Sequence, residues 1–124
     1  MYRLCSKKTA KLDVIVNNAG FGGYGAFELS TLDQRQSMYV VNIFGVMNVT
    51  QEILPHFRAN NSGLIINVSS IGGLMTYPLY SIYHSTKWAV EGFSESLNYE
   101  LKHFGIGIKL IEPGVTKSNF VYGV

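Results

Sequence analysis

The chain has 124 residues, 47% hydrophobic and 15% charged, which supplies the core of one globular unit and excludes a disordered polypeptide. A formal net charge of +2, with basic residues scattered apart from Lys7, Lys8 and Lys11, argues against a nucleic-acid partner. The single cysteine, Cys5, cannot form an internal disulfide and points to the cytoplasm, while no apolar run reaches the roughly 18 residues of a membrane span or resembles a signal peptide.

The first predicted element is a strand over Leu12–Val16, ended by Asn17-Asn18-Ala19-Gly20, whose small residues let a ligand approach the backbone. A helix is then expected from a cap at Thr31, with Gln34 reaching back to it, to about Phe57. Its predicted buried face carries Met38, Val41, Gly45, Val49 and Ile53, and Asn42 lies mid-helix, where asparagine needs a specific partner to be favourable. Pro55 and the Asn60-Asn61-Ser62-Gly63 run close this helix before a second strand, Leu64–Val68. A second helix is expected from about Ser81 to Phe104, with a stripe of Ala89, Phe93, Leu97 and Leu101 and a stop at Gly105. The third strand, Ile106–Ile111, ends in Glu112-Pro113-Gly114-Val115-Thr116.

The strands are rich in Val, Ile and Leu, as parallel strands covered on both faces are. The order strand, helix, strand, helix, strand defines an α/β fold. Right-handed crossovers put both helices on one face if the strands are neighbours in sequence order. The other face then needs a cover that this chain does not encode, so a piece of a larger domain, or a chain completed by a partner, is expected.

Chemistry concentrates at the strand ends. Tyr83 and Lys87, four apart on a helix, share one face, where an ammonium can lower a phenol pKa from about 10 and make it a general acid or base. That pair alone is a weak signal. Ser70, just past the second strand, sits where open parallel sheets bind ligands and offers a hydroxyl to a developing oxyanion. All three strand ends place small or polar residues on one rim, and that convergence marks the site. Phe21, Tyr24, Phe27, Leu74, Met75, Tyr77, Pro78 and Tyr80 flank it and favour a lipophilic substrate.

With these residues in place, the sequence resembles the classical short-chain dehydrogenase/reductase family from about Leu12 to Phe120, leaving residues 1–11 unmatched within one partial domain over 1–124. Asn17-Asn18-Ala19-Gly20 is similar to its NNAG element, Asn42 falls at its catalytic asparagine, and Ser70, Tyr83 and Lys87 match its serine and Tyr-x-x-x-Lys positions. The resemblance implies a partial Rossmann-like, doubly wound parallel sheet of about three strands with two long helices on one face. It implies hydride transfer between NAD or NADP and a carbonyl or secondary alcohol. Tyr83 would be the proton donor or acceptor, and Lys87 would tune it and hold the nicotinamide ribose. Ser70 would orient the substrate oxygen, and Asn42 would hold a relay water. Asn17, Asn18, Ala19, Gly20, Pro113, Gly114, Val115 and Thr116 would line the cofactor together with Tyr83 and Lys87, and no metal is implied. Family members often pair through the two long helices, which extends to a homo-oligomer here. Nothing upstream of Leu12 resembles the Gly-rich turn that receives the pyrophosphate, and the family's closing segment after Thr116 has no counterpart.

The alternative from another class is a non-catalytic fragment or pseudoenzyme that only pairs with another chain. A nucleotide-sugar epimerase or dehydratase shares Tyr-x-x-x-Lys but lacks the NNAG and Pro-Gly elements. A serine hydrolase is disfavoured by the absence of G-x-S-x-G, and a zinc enzyme by the wide separation of His56, His84 and His103.

Overall fold

The computed structural model describes residues 11–117 and 121–123. The expectations resting on Cys5, Lys7, Lys8 and the family match at Phe120 lie outside the described residues.

In chain order the elements are strand β1 (Val14–Asn17), a three-residue strand β2 (Gly22–Tyr24), helix α1 (Leu32–Tyr39), helix α2 (Gly45–Asn60), strand β3 (Gly63–Val68), helix α3 (Ser81–Leu101), strand β4 (Ile106–Ile111) and strand β5 (Val121–Gly123). β1, β3 and β4 form one parallel sheet in that order, in the register Ile15 opposite Ile65 opposite Ile108. The expected strands are all present. β1 begins later than its apolar run, because Leu12 leaves the ladder and its carbonyl lies 3.1 Å from Nε2 of His56. β2 and β5 make a second small parallel pair that the sequence did not announce, since three residues are too few to show a period.

The first long helix starts as expected. Thr31 Oγ1 accepts from the Gln34 amide at 3.2 Å and the Gln34 side chain accepts from the Thr31 amide at 2.8 Å, a complete capping box. It does not continue as one α-helix. A π-helical turn over Val40–Phe44 separates α1 from α2, and the extra residue in that turn rotates α2 relative to α1. The buried stripe therefore becomes Met38, Asn42, Ile43, Val46, Thr50, Ile53 and Phe57, while Val49 is 48% exposed and Val41 and Gly45 are half-buried. α2 runs through Pro55 and closes at Asn61, which adopts φ 48° as the Ser62 amide returns to the Phe57 carbonyl at 3.2 Å.

In α3 the predicted stripe also shifts. Leu101 is buried, but Ala89, Phe93 and Leu97 are half-buried, and the most enclosed face carries His84, Thr86, Lys87, Val90 and Ser94. This face is polar because its N-terminal half borders the site rather than the core. Gly105, at φ 70°, ends the helical run where a Cβ would strike the Asn61 carbonyl.

Ile53, Phe57, Ile65, Leu101, Ile106 and Ile108 form the core between helices and sheet, each contributing about 1.5–3 kcal/mol by leaving water. Among the described residues nothing packs over Val14, Val16 and Ile111 on the opposite sheet face, which are 44%, 57% and 47% exposed, as crossovers to one face predict. Alternation along β1 thus divides a covered face from an uncovered one.

Candidate active site

The carboxyl ends of β1, β3 and β4 open onto one cavity of about 790 Å³, a size suited to a small organic ligand. Asn18, Ala19 and Gly20 line it from the first strand, Ser70 from the second, and Pro113, Gly114, Val115 and Thr116 from the third. Tyr83 and Lys87 enter from α3. The rim inferred from sequence is therefore one surface.

Local hydrogen bonds explain its shape. The ladder between β3 and β4 continues past both strands, from the Ser69 amide to the Ile111 carbonyl at 2.8 Å and from the Ile71 amide to the Pro113 carbonyl at 3.1 Å. These bonds carry the Pro113 loop alongside Ser70. Ser70 Oγ accepts from the Gly72 amide at 3.0 Å and caps the short turn Ile71–Gly73. With a lone pair so engaged, its own proton is directed at the Tyr83 phenol beside it in the cavity.

Lys87 is 4% exposed, and its Nζ donates to the Val68 carbonyl at 3.1 Å and lies 5.8 Å from the centroid of the Tyr83 ring. Burial lowers its pKa to about 8, with the Glu91 charge pulling it back up. Burial also pushes the Tyr83 phenol above 10, opposed by a hydrogen bond with Ser70. The helix spacing predicts a phenol lowered by the ammonium. Desolvation sets the opposite direction here, the opposing influence comes from Ser70, and the ammonium donates to the Val68 carbonyl. Glu91, one turn beyond Lys87, is raised chiefly by burial.

Two predicted residues lie outside the cavity wall. Asn17 Nδ2 donates to Asn67 Oδ1 at 2.8 Å and approaches Thr50 Oγ1 at 3.4 Å, and Asn67 Nδ2 donates to Ser94 Oγ at 2.8 Å. This buried chain ties the sheet to α2 and α3. Asn42, 1% exposed in the π turn, accepts from the Phe21 amide at 3.1 Å and donates to the Phe21 carbonyl at 2.9 Å and to Thr86 Oγ1 at 3.1 Å. Both amide hydrogens are committed, so the side chain holds the loop after Gly20 against α3. The sequence reading missed Asn67, Thr50, Ser94 and Thr86. Polar residues at core phase on the helices were the signal for the last three, and the Asn67-Val68-Ser69-Ser70 run was the signal for the first.

Of the apolar residues expected to flank the site, Tyr77 and Tyr80 line the cavity, whereas Phe27, Leu74 and Met75 are 59%, 59% and 51% exposed near it in sequence. Among the described residues no cluster of three His, Cys, Asp or Glu side chains could hold a metal ion, and no helix is long and apolar enough to cross a membrane.

The sequence model of the short chain dehydrogenase family matches residues 1–123, and the chain belongs to that family. An uncharacterized oxidoreductase of Schizosaccharomyces pombe is 46% identical over 110 residues, covering 89% of this chain and 47% of that protein. A 3-ketodihydrosphingosine reductase of Bacteroides thetaiotaomicron is 43% identical over 110 residues, covering 89% of this chain and 41% of its own length. The crystal structure of a 3-ketoacyl-(acyl-carrier-protein) reductase from Brucella melitensis, complexed with NADH, superposes with a TM-score of 0.92 at 28% identity, covering 96% of this chain and 51% of that one. The chain spans about half the length of the curated relatives it matches.

Proposed function

We propose that this chain is the catalytic half of an oxidoreductase that moves a hydride between NAD or NADP and a lipophilic carbonyl or secondary alcohol, with Tyr83 as general acid/base. The observation that carries this reading is the meeting of Ser70, Tyr83 and Lys87 at one cavity on the carboxyl rim of the sheet. The cavity fits the nicotinamide end of a dinucleotide. The Asn18–Gly20 backbone borders it, a Cβ at Gly114 would meet nothing within 4 Å, and Lys87 offers a cation for ribose hydroxyls. When bound, the reduced nicotinamide supplies the hydride.

This chain's residues handle the proton. Hydride addition to the carbonyl carbon breaks the C=O π bond, and its electron pair moves to oxygen. Ser70 donates a hydrogen bond to that oxygen, and Tyr83 Oη gives it a proton. A phenol held above its ordinary pKa is in the correct protonation state for this direction. The phenolate left behind is stabilised by the Lys87 ammonium. Asn42 acts as a positioning residue for the loop after Gly20, and its remaining Oδ1 lone pair is where a relay water would bind.

Ile71, Tyr77 and Tyr80 give the substrate side its apolar character, and the Bacteroides and Brucella relatives are both named for keto substrates. The same reading keeps the protein in the cytoplasm, as a homo-oligomer paired through α2 and α3. The exposed apolar side chains Phe44, Val49, Trp88 and Tyr99 on the helical layer support such pairing.

The complete protein should oxidise NADH or NADPH in the presence of apolar ketones or aldehydes. Tyr83→Phe should lower turnover about 100- to 10,000-fold. Undiminished turnover in that variant removes Tyr83 from the mechanism. The second reading, a chain that acts only by pairing, is favoured by the bare face at Val14, Val16 and Ile111, and it predicts no turnover with any carbonyl.

A further inference from the structure

The imidazole of His84, the residue after Tyr83, is 4% exposed and both of its nitrogens are engaged. Nδ1 lies 2.8 Å from the Gly72 carbonyl, and Nε2 lies 2.8 Å from the Tyr77 amide nitrogen. A carbonyl can only accept and an amide N–H can only donate. The ring is therefore fixed as the neutral tautomer with its proton on Nδ1.

Its two partners belong to different parts of the site. Gly72 is held at both ends, its carbonyl by His84 and its amide by Ser70 Oγ at 3.0 Å, so the imidazole is connected through one residue to the hydroxyl that faces the substrate oxygen. The close fit is visible at Gly72, where a Cβ would come 3.0 Å from His84 Nδ1 and 3.2 Å from the Tyr83 ring. Tyr77, on the other side, lines the substrate end of the cavity, with its ring centroid 5.5 Å from that of His84. The segment between Gly72 and Tyr77, whose first residues are held by backbone bonds to Ser70 and Ile71, is thus tied at both ends to one side chain on α3.

We propose that His84 is a positioning residue that sets the Ser70 hydroxyl and the Tyr77 wall against Tyr83 as one unit, its Nδ1 side governing the chemical step and its Nε2 side governing how tightly the carbonyl substrate is held. This rests on the proposed reductase activity and assigns a separate role within it.

The test uses the complete protein and three variants. In His84→Asn the amide nitrogen takes about the place of Nδ1, and in His84→Gln the amide oxygen takes about the place of Nε2. His84→Phe keeps the ring and loses both bonds. The asparagine variant should hold kcat within about threefold and raise the KM for a carbonyl about tenfold, and the glutamine variant should do the reverse. The phenylalanine variant should show both changes, with dinucleotide affinity unaltered. Unchanged kcat and KM in His84→Phe would overturn the proposal, as would equal losses of both constants in all three variants. Hydrogen exchange at the Tyr77 amide reads the clamp without turnover. It should be protected in the parent and exposed in His84→Phe, and protection that survives the substitution overturns the proposal. A parent with no reductase activity counts against the proposed function, while the exchange result still decides the clamp.

Discussion

Lys87 Nζ donates to the Val68 carbonyl at 3.1 Å, so a side chain that lines the cavity also fastens α3 to the end of β3. Enclosing that ammonium costs stability, because Lys87 titrates at about 8 in the folded chain rather than at its ordinary 10.5. Below about pH 8 folded and unfolded chains both carry the proton and the cost is fully present. Between about 8 and 10.5 the unfolded chain binds more protons, so stability rises with pH across that window.

Lys87→Met should therefore stabilise the protein at neutral pH, by about 1–3 kcal/mol after the lost Val68 bond is counted. The advantage should shrink as pH rises above about 8. Thermal melts of parent and variant at neutral and alkaline pH check this, and a variant less stable than the parent at neutral pH would contradict it.

Activity should respond in the opposite sense. In the proposed mechanism carbonyl reduction needs a protonated Tyr83 and a charged Lys87, so kcat/KM for reduction should fall as pH rises through about 8, where Lys87 loses its charge. Alcohol oxidation needs the phenolate and should be favoured by higher pH, since burial holds Tyr83 above its ordinary value. A pH profile of kcat/KM in each direction checks the pair, and a flat reduction profile would exclude Lys87 as the controlling group.

Asn42→Ala should destabilise by about 2–4 kcal/mol, because it strands the Phe21 amide and carbonyl beside a position 1% exposed and removes the donor to Thr86 Oγ1, which keeps its own bond to the Tyr83 carbonyl. It should also weaken dinucleotide binding, since the freed loop carries Ala19 and Gly20. Calorimetry and a dinucleotide titration measure the two effects separately.

Gly105→Ala should cost about 2–4 kcal/mol without changing KM, because it combines a left-handed backbone with a collision at the Asn61 carbonyl far from the cavity. A variant of parental stability would show that the turn can rearrange.

The sequence carried the frame of this molecule because its signals are local. Thr31 and Gln34 announce their capping box from three residues apart, and Ile106–Ile111 reads as a strand from its own side chains. The rim came from topology, which sends every parallel strand's carboxyl end to the same side. The features that stayed hidden depend on contacts distant in sequence. The π turn at Val40–Phe44 shifts the buried stripe so that Val49 is exposed, and the Asn42 that it carries inward is bonded to Phe21, 21 residues away. His84 is as opaque. Nothing in its neighbours shows that Gly72 and Tyr77 fold back onto its two nitrogens. The direction of the Tyr83 pKa is hidden for a related reason, since helix spacing reveals the Lys87 charge but not the burial that raises the phenol.

Reduction by nicotinamide deuterated at the transferable position, in the complete protein with an apolar ketone, tests proton and hydride transfer at this site most directly. One deuterium should appear on the carbinol carbon of the product, at a rate that collapses in Tyr83→Phe and is lowered in Ser70→Ala. Label that appears at the parental rate in both variants would mean that the reaction takes place without these two hydroxyls.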